Sequence, residues 1–382
     1  MHISADWLNQ QNTRTVMTLL TGAGYEAYFV GGCVRNALLN EPASDIDIST
    51  NAHPDAVVKI ATAAGIKSIP TGIDHGTVTI VIGGDAYEIT TFRKDIATDG
   101  RRAIVAYADN IIDDARRRDF TMNAIYADQS GKVTDPLNGL PDLLARHVRF
   151  IDGPDQRIAE DYLRILRFFR FTAWYGDINN GIDAEGLAAC ARGLDGLQNL
   201  SRERVGGEVS KLLSAPNPAP AVAAMAQSGV LAQTIKGAQH QFLAPLIHLE
   251  QQFDVAPNWI ARLVCLTRDA QDLRLSRKDE NQRINLIKLL DNNPPPHAAA
   301  YRYGATLAYS AALILAASLE SVPPKKLREN IALANEVVFP IKSTDLSDQL
   351  QGKSLGNALR KLERRWIQSR FTMTKQELLN EL

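Results

Sequence analysis

Val30-Gly-Gly-Cys-Val-Arg-Asn36, with Asp45-Ile-Asp47 shortly after it, is the stretch from which the fold is best read. Apolar residues crowd Ala27–Val30, and 34–39 has a helical pattern, so the two glycines stand where a strand passes into a helix. Glycine lets backbone come close to a ligand, and the N–H groups of a helix start attract phosphate. Arg35 lies one turn into that helix, within reach of the same anion; an ordinary turn has the same sequence. In a strand, residues two apart share a face. Asp45 and Asp47 would then stand side by side and repel unless a cation neutralises them. Such a pair suits Mg2+, which takes carboxylates plus substrate phosphates; the plainer alternative is a solvated pair at a strand end. Glu88, in Tyr87-Glu-Ile-Thr-Thr-Phe-Arg93, is either a third carboxylate from a neighbouring strand or an exposed residue of the alternation.

Working outward, the first 150 residues or so alternate strand and helix signals. Thr77–Ile82 (TVTIVI) and 87–91 read as further strands, 54–64 as a helix entered through proline, and 124–126 with 132–134 as a short hairpin. Beyond Pro154 strand signals fade. The run 161–171 (DYLRILRFFRF) sets Leu163, Leu166, Phe168 and Phe169 on an apolar side, with Arg164, Arg167 and Arg170 recurring every three residues. Breaks fall at 214–220 (SAPNPAP), 292–296 (NNPPP) and 323–324. The expectation is an α+β chain: a small mixed-sheet domain followed by an all-helical array.

Composition bounds the function. The chain has 382 residues, 45% hydrophobic and 22% charged, enough for a packed core and for two to four domains at roughly 100–200 residues each. No apolar run approaches the ~18–20 residues of a membrane span, and MHISADWLNQQ lacks the pattern of a secretory signal. Cys33, Cys190 and Cys265 are isolated and odd in number, against a disulfide framework or a cysteine zinc site and in keeping with a reducing cytoplasm. With 42 Lys+Arg against 43 Asp+Glu the net charge is −1, so any contact with nucleic acid must rest on local basic charge.

Three later segments carry further chemistry. Arg116-Arg-Arg-Asp119 reads as opening a helix, where cations oppose the macrodipole and a bound anion would relieve them. Asp161 and Arg164, three apart, read as sharing one helix face, either as a structural ion pair or as a working one. Ser201 is a candidate N-cap for the helix that follows.

Taken together, VGGCVRNALL, DIDIST, HGTVTIV, YEITTFR, DGRR, RRRDFTMNA, DPLNGLPDL, EDYLRILRFFRF and SRERVGGE resemble the bacterial-type tRNA nucleotidyltransferases, the CCA-adding enzymes, and their relatives the bacterial poly(A) polymerases. The resemblance covers 27–213, with a weaker echo in LRLSRKD at 273–279. It implies a polymerase-β-like nucleotidyltransferase head of five strands over 1–150, a helical neck that recognises the nucleotide base over 151–215, and a helical body and tail that bind tRNA over 216–382. It carries catalysis and Mg2+ binding onto Asp45 and Asp47; Glu88 stands beside them as a candidate catalytic carboxylate on its place in the neighbouring strand. It carries nucleotide binding onto Gly31, Gly32, Arg35 and Arg118, base recognition onto Asp161 and Arg164, and a nucleotide-facing row onto Arg167 and Arg170. One departure stands out: the family's Asp after Val-Arg is Asn36 here, which bears on how Arg35 is held.

The activity implied is addition of CMP and AMP to the tRNA 3′ end from CTP and ATP, in the cytoplasm and away from membranes. The alternative is poly(A) extension of RNA; a non-catalytic RNA-binding protein is a third reading. The segment 95–107 fills the place of the family's flexible loop and favours an enzyme able to add the terminal A. His75 reads as structural in its turn. Lys325, Lys326, Arg328, Lys353, Arg360, Lys361, Arg364 and Arg365 supply local basic charge for phosphates, or simply solvated helix faces.

Overall fold

The computed structural model describes residues 1–43, 45–73, 76–99, 102–347 and 350–382, with side chains left undescribed at 95–99 and 102–105. They divide into two compact units, Met1–Arg204 with Gln227–Gln233, and Val205–Ala226 with Thr234–Leu382.

The first unit holds every strand: β1 (Ala27–Val30), β2 (Asp47–Thr50), β3 (Lys67–Gly72), β4 (Thr77–Ile82), β5 (Asp85–Thr91), β6 (Arg93–Asp99), β7 (Arg102–Tyr107), β8 (Tyr126–Ala127) and β9 (Val133–Thr134). One sheet runs β3-β4-β5-β2-β1-β8-β9, and β6 and β7 pair separately. Within the large sheet β2 and β5 are parallel; every other neighbouring pair is antiparallel. The sheet thus has seven strands where the resemblance implies five. The two extra are the short hairpin, displaced from the expected 124–126 because 121–123 turns as a 3-10 helix. Asp128 fixes that hairpin by accepting from the amides of Ser130 and Lys132. Over 95–107, which fills the place of the family's flexible loop, the described residues of β6 and β7 pair antiparallel. Gly100, Arg101 and His75 lie outside the described residues.

Burial on one face of this sheet decides what the other can do. Helices Gln11–Gly22 and Pro54–Ala63 pack on it through Val16, Met17, Leu20, Val57 and Ala61. Tyr87 of β5 points there, its hydroxyl 3.1 Å from Thr13 Oγ1. Strand side chains alternate, so Glu88 points the other way. The parallel register puts it beside Asp47. Asp45 precedes β2 rather than lying in it, so it shares the neighbourhood of Asp47 but not the strand pleat.

Two helical expectations change. The arginines 116–118 end a helix, Ile111–Arg116, and do not open one. Asn110 caps its start, accepting from the Asp113 amide at 2.9 Å, and cations at the far end are favoured by the macrodipole. Nor does one helix run through 161–171. Pro154–Glu160 stops at Asp161, which is extended (φ −155°, ψ 106°), and a new helix runs Leu163–Tyr175. Its Leu163, Leu166, Phe168 and Phe169 are buried as the periodicity predicts, together with Ile165 and Phe171. Phe120, Phe150, Phe168 and Phe171 stack in one cluster, with ring centroids 4.9 to 5.3 Å apart for 120–150, 120–171 and 150–168. The three cysteines are buried and free. Among the described residues no helix is long and apolar enough to cross a membrane.

The second unit is helical. The break at 214–220 is held by one buried guanidinium: Arg262 donates to the carbonyls of Leu213 (2.8 Å), Ala215 (2.5 Å) and Pro216 (3.3 Å) and to Glu250 Oε2 (2.7 Å). Burial pushes the Glu250 carboxyl pKa up, against the pull of Arg262. Removing one member of a buried pair strands the other and leaves the carbonyls without a donor, so Arg262→Ala should cost about 3–5 kcal/mol in urea unfolding. The double change Arg262→Met with Glu250→Leu should recover the share due to the stranded Glu250 but not that of the three carbonyls, which stay without a donor.

Candidate active site

On the Glu88 side of the sheet the first unit encloses a cavity of about 400 Å3. Gly31, Gly32, Arg35, Asp47, Arg117, Arg118, Asp119, Asn123, Asp161, Arg164, Arg167 and Phe171 line it. Segments far apart in sequence therefore converge on one hollow. Gly31 adopts φ +72° and ψ −125°, backbone that glycine takes readily and L side chains rarely do. A Cβ there would stand 3.8 Å from Arg118 Nη1 and 3.9 Å from Asp47 Oδ2, so this turn lies between a cation and a carboxylate.

The acidic residues crowd at the cavity edge. Asp47 lines the hollow and is partly buried, while Asp45 and Glu88 are exposed and outside the lining. Burial raises the Asp47 pKa, Glu88 raises it further, Arg118 lowers it and Asp45 raises it again. Carboxylates that press on one another in this way favour a divalent cation between them. Among the described residues there is no closed cage of three or more metal-ligating side chains. An open pair completed by substrate phosphates is how Mg2+ is usually held.

Arg118 is aimed by a residue the sequence reading passed over. The Asp114 carboxylate, fully buried, accepts from Arg117 Nε (2.7 Å), Arg118 Nη2 (2.9 Å), Tyr126 Oη (2.8 Å) and Ser49 Oγ (3.2 Å). Burial opposes ionisation, but the charges of Arg118 and Arg117 and their hydrogen bonds outweigh it and hold the carboxyl far below its usual pKa. Arg118 Nη2 also donates to Ser49 Oγ at 3.1 Å, two residues along β2 from Asp47. The available signal was spacing: Asp114 stands three and four residues before two arginines on one helical turn.

Arg35 is 7% exposed, and burial presses its pKa below the usual value. Nη1 donates to Asn123 Oδ1, and Nη2 to Asn36 Oδ1 (3.1 Å) and Tyr175 Oη (2.7 Å). Its Nε is buried with no hydrogen-bond partner. Asn36 serves two partners, since its Nδ2 donates to the Pro42 carbonyl at 2.6 Å. An aspartate at that position could accept from Arg35 but could not donate to Pro42.

The expected Asp161–Arg164 pair is absent. Asp161 accepts from Arg204 Nη2 at 2.6 Å and from the Leu163 amide at 3.1 Å. Arg164 donates to Glu160 Oε2 (2.5 Å) and to the carbonyls of Arg157 (2.9 Å) and Arg117 (3.0 Å), the latter capping the helix Ile111–Arg116. The cause is the break at Asp161, which ends the helical spacing between the two. Both still line the cavity, and Arg164 keeps two of its five N–H donors uncommitted. Arg167 lines it too, paired with Asp119 at 2.6 Å, whereas Arg170 lies over the Phe171 ring, 4.6 Å from its centroid, outside the lining.

Asp119 gives a pH test. Burial raises its pKa, but Arg167, the Asn123 amide and then Arg164 outweigh burial and lower it from 3.8 to about 2. The folded chain binds this proton more weakly than the unfolded one. The resulting stability, about 2 kcal/mol, is full above pH 4 or so and is lost as pH falls through about 2. Urea melts between pH 5 and 2 should show that decline, and Asp119→Asn should flatten it.

Comparison with known proteins fits this geometry. A Poly A polymerase head domain model matches residues 27–149, and a model described as a probable RNA and SrmB-binding site of polymerase A matches 181–241. The CCA-adding enzyme of Oceanobacillus iheyensis is 41% identical over 209 residues, 54% of this chain and 50% of that protein. That of Streptococcus pyogenes serotype M5 is 39% identical over 217 residues, 56% and 52% of the two. The chain thus spans about half the length of the curated relatives it matches. Over nearly the whole fold it is similar to the Bacillus stearothermophilus CCA-adding enzyme in complex with CTP, with TM-score 0.73, 26% identity and coverage of 96% of this chain and 94% of that one. The Thermotoga maritima CCA-adding enzyme complexed with tRNA shares the fold at TM-score 0.69, with 20% identity and coverage of 100% and 98%. Residues 27–149 thus carry a Poly A polymerase head domain, a polymerase A RNA-binding region follows it, and in fold and in sequence over its first half the chain is similar to CCA-adding enzymes.

Proposed function

We propose that this chain adds CMP and AMP to the 3′ end of tRNA from CTP and ATP, without a nucleic-acid template. The observation that carries the reading is the single hollow walled by the Gly31-Gly32 turn, Asp47 and Arg118 together with Asp161 and Arg164. The CTP complex of a structural relative and the names of the curated relatives support it. In this reading residues 1–150 transfer the nucleotide, 151–215 select its base and 216–382 hold the tRNA, in the cytoplasm.

Asp45 and Asp47 would hold Mg2+, with Glu88 beside them; the ion supplies charge that acidifies the attacking 3′-hydroxyl and stabilises the departing pyrophosphate. Gly31 and Gly32 leave room for the triphosphate to approach the backbone. Arg118, fixed by Asp114, sets positive charge against the phosphate oxygens. Arg35 contributes the field of a buried guanidinium that has no carboxylate of its own. Asp161 accepts from the exocyclic amine common to cytosine and adenine, and Arg164 donates to the ring nitrogen beside it. Uracil and guanine would turn a carbonyl oxygen toward the carboxylate, leaving a buried charge unsatisfied.

On the second unit, helix Gly352–Gln368 buries Ala358, Leu362 and Trp366 and exposes Lys353, Arg360, Lys361, Arg364 and Arg365. That basic face suits tRNA phosphates. A poly(A) polymerase is the second reading, favoured by the description of the head-domain model.

Incubation with tRNAs ending at the discriminator base, in C and in CC, each with a single nucleotide, separates the two. The proposed enzyme adds C, C and A in turn and stops; a poly(A) polymerase extends with A alone. Asp47→Asn should lower incorporation at least about a thousandfold. Its melting temperature should hold or rise, because the mutual repulsion of the acids is relieved. Asp161→Ala should weaken discrimination of CTP over UTP about tenfold or more; unchanged rejection of UTP would remove base reading from Asp161.

A further inference from the structure

Arg35 grips the helix Leu163–Tyr175 at two places. One grip is direct: Nη2 donates to Tyr175 Oη at 2.7 Å, and the guanidinium lies 4.0 Å from the centroid of that ring. The other is relayed: Nη1 donates to Asn123 Oδ1, Asn123 Nδ2 donates to Asp119 Oδ1 at 2.9 Å, and Asp119 Oδ2 accepts from Arg167 Nε at 2.6 Å. Arg167 and Tyr175 are eight residues apart, about two turns along the same helix. Between them Phe171 turns its ring to Arg35 (5.2 Å) and Arg167 (5.4 Å). Arg35, one turn beyond Gly31-Gly32, therefore fixes both the position of this helix along its axis and its rotation.

That helix carries Arg164 near its start. Tyr175 stands eleven residues later, about 16 Å along the axis, and is not part of the cavity lining. It has no route to a nucleotide base. Resting on the proposed nucleotidyl transfer, we propose that Tyr175 is a specificity-determining positioning residue: through Arg35 it fixes the helix bearing Arg164 against the phosphate-binding turn. The distance from phosphate seat to base-reading guanidinium is then set by a contact remote from both. Misplacement by a fraction of an ångström is enough to degrade such recognition. A base is read correctly only if Arg164 meets its ring nitrogen while the triphosphate is seated, so loosening the far end of the helix relaxes selection without emptying the phosphate site.

The test uses Tyr175→Phe, which removes only the hydroxyl, and Tyr175→Leu, which removes the ring as well, in the full chain. Two quantities are read: the ratio of kcat/KM for CTP over UTP on tRNA ending at the discriminator base, and the affinity for inorganic tripolyphosphate as a baseless probe. The ratio should fall about threefold in the Phe variant and about tenfold in the Leu variant, with tripolyphosphate affinity unchanged within about twofold. An unchanged ratio in the folded variants overturns the proposal. So does an equal loss of tripolyphosphate binding, which would make Tyr175 a prop for phosphate contact alone. If Tyr175→Leu does not fold, the Phe variant decides. Failure of the parent protein to incorporate CTP at all would instead overturn the nucleotidyl-transfer reading beneath it.

Discussion

A carboxylate sealed from water holds the walls of the cavity together. Asp114 receives four donors, two of them from guanidinium groups, and none of the partners can leave without stranding a buried charge. Tyr126 ties it to the short hairpin, Ser49 to the strand that bears Asp47, and Arg117 and Arg118 to the chain leading into the phenylalanine cluster. The guanidinium of Arg118 is in consequence fixed across the Gly31 turn from Asp47, with little rotamer entropy left to lose when an anion arrives.

Around that anchor the site is built from arginines whose charges are balanced unequally. Arg164 and Arg167 each have a carboxylate, Glu160 and Asp119. Arg35 has only amide and phenol oxygens as acceptors. Paired arginines give shape; the one without a counter-charge gives field. Asn36, whose side chain is uncharged, keeps Arg35 in that state and at the same time secures the Pro42 carbonyl in the segment leading to Asp45.

The strands at 27–30 and 77–82, the one read at 87–91 that begins at Asp85, and the helix after Pro54 were legible because their signals are local: alternation, a proline at a first turn, paired glycines. Gly31, Gly32, Arg35, Asp47, Arg118, Asp161, Arg164 and Arg167 of the cavity lining were legible because each lies in a compact motif; Arg117, Asp119, Asn123 and Phe171 were not singled out. What escaped was decided by partners distant in sequence or by caps. The arginine run at 116–118 reads as a helix start until Asn110 is recognised as the cap six residues upstream. Asp161 and Arg164 have helical spacing, yet Arg204, 43 residues away, holds the carboxylate and the backbone breaks between them. Asp114 was passed over because a buried acid beside arginines looks like any surface ion pair until its burial is known.

The parallel pairing of β2 with β5 has a consequence for how the protein comes into being. Two neighbouring parallel strands cannot be joined by a tight turn, and here the connection runs through a helix and two further strands. Asp47 and Glu88 accordingly become neighbours only after that whole excursion has been laid down and closed, a step of high sequence separation. A ribosome-bound chain still short of residue 85 holds Asp45 and Asp47 but not Glu88, whose charge presses harder on Asp47 than that of Asp45 does. That larger share of the repulsion enters late in assembly, when the hydrophobic layer beneath the sheet is already available to absorb it.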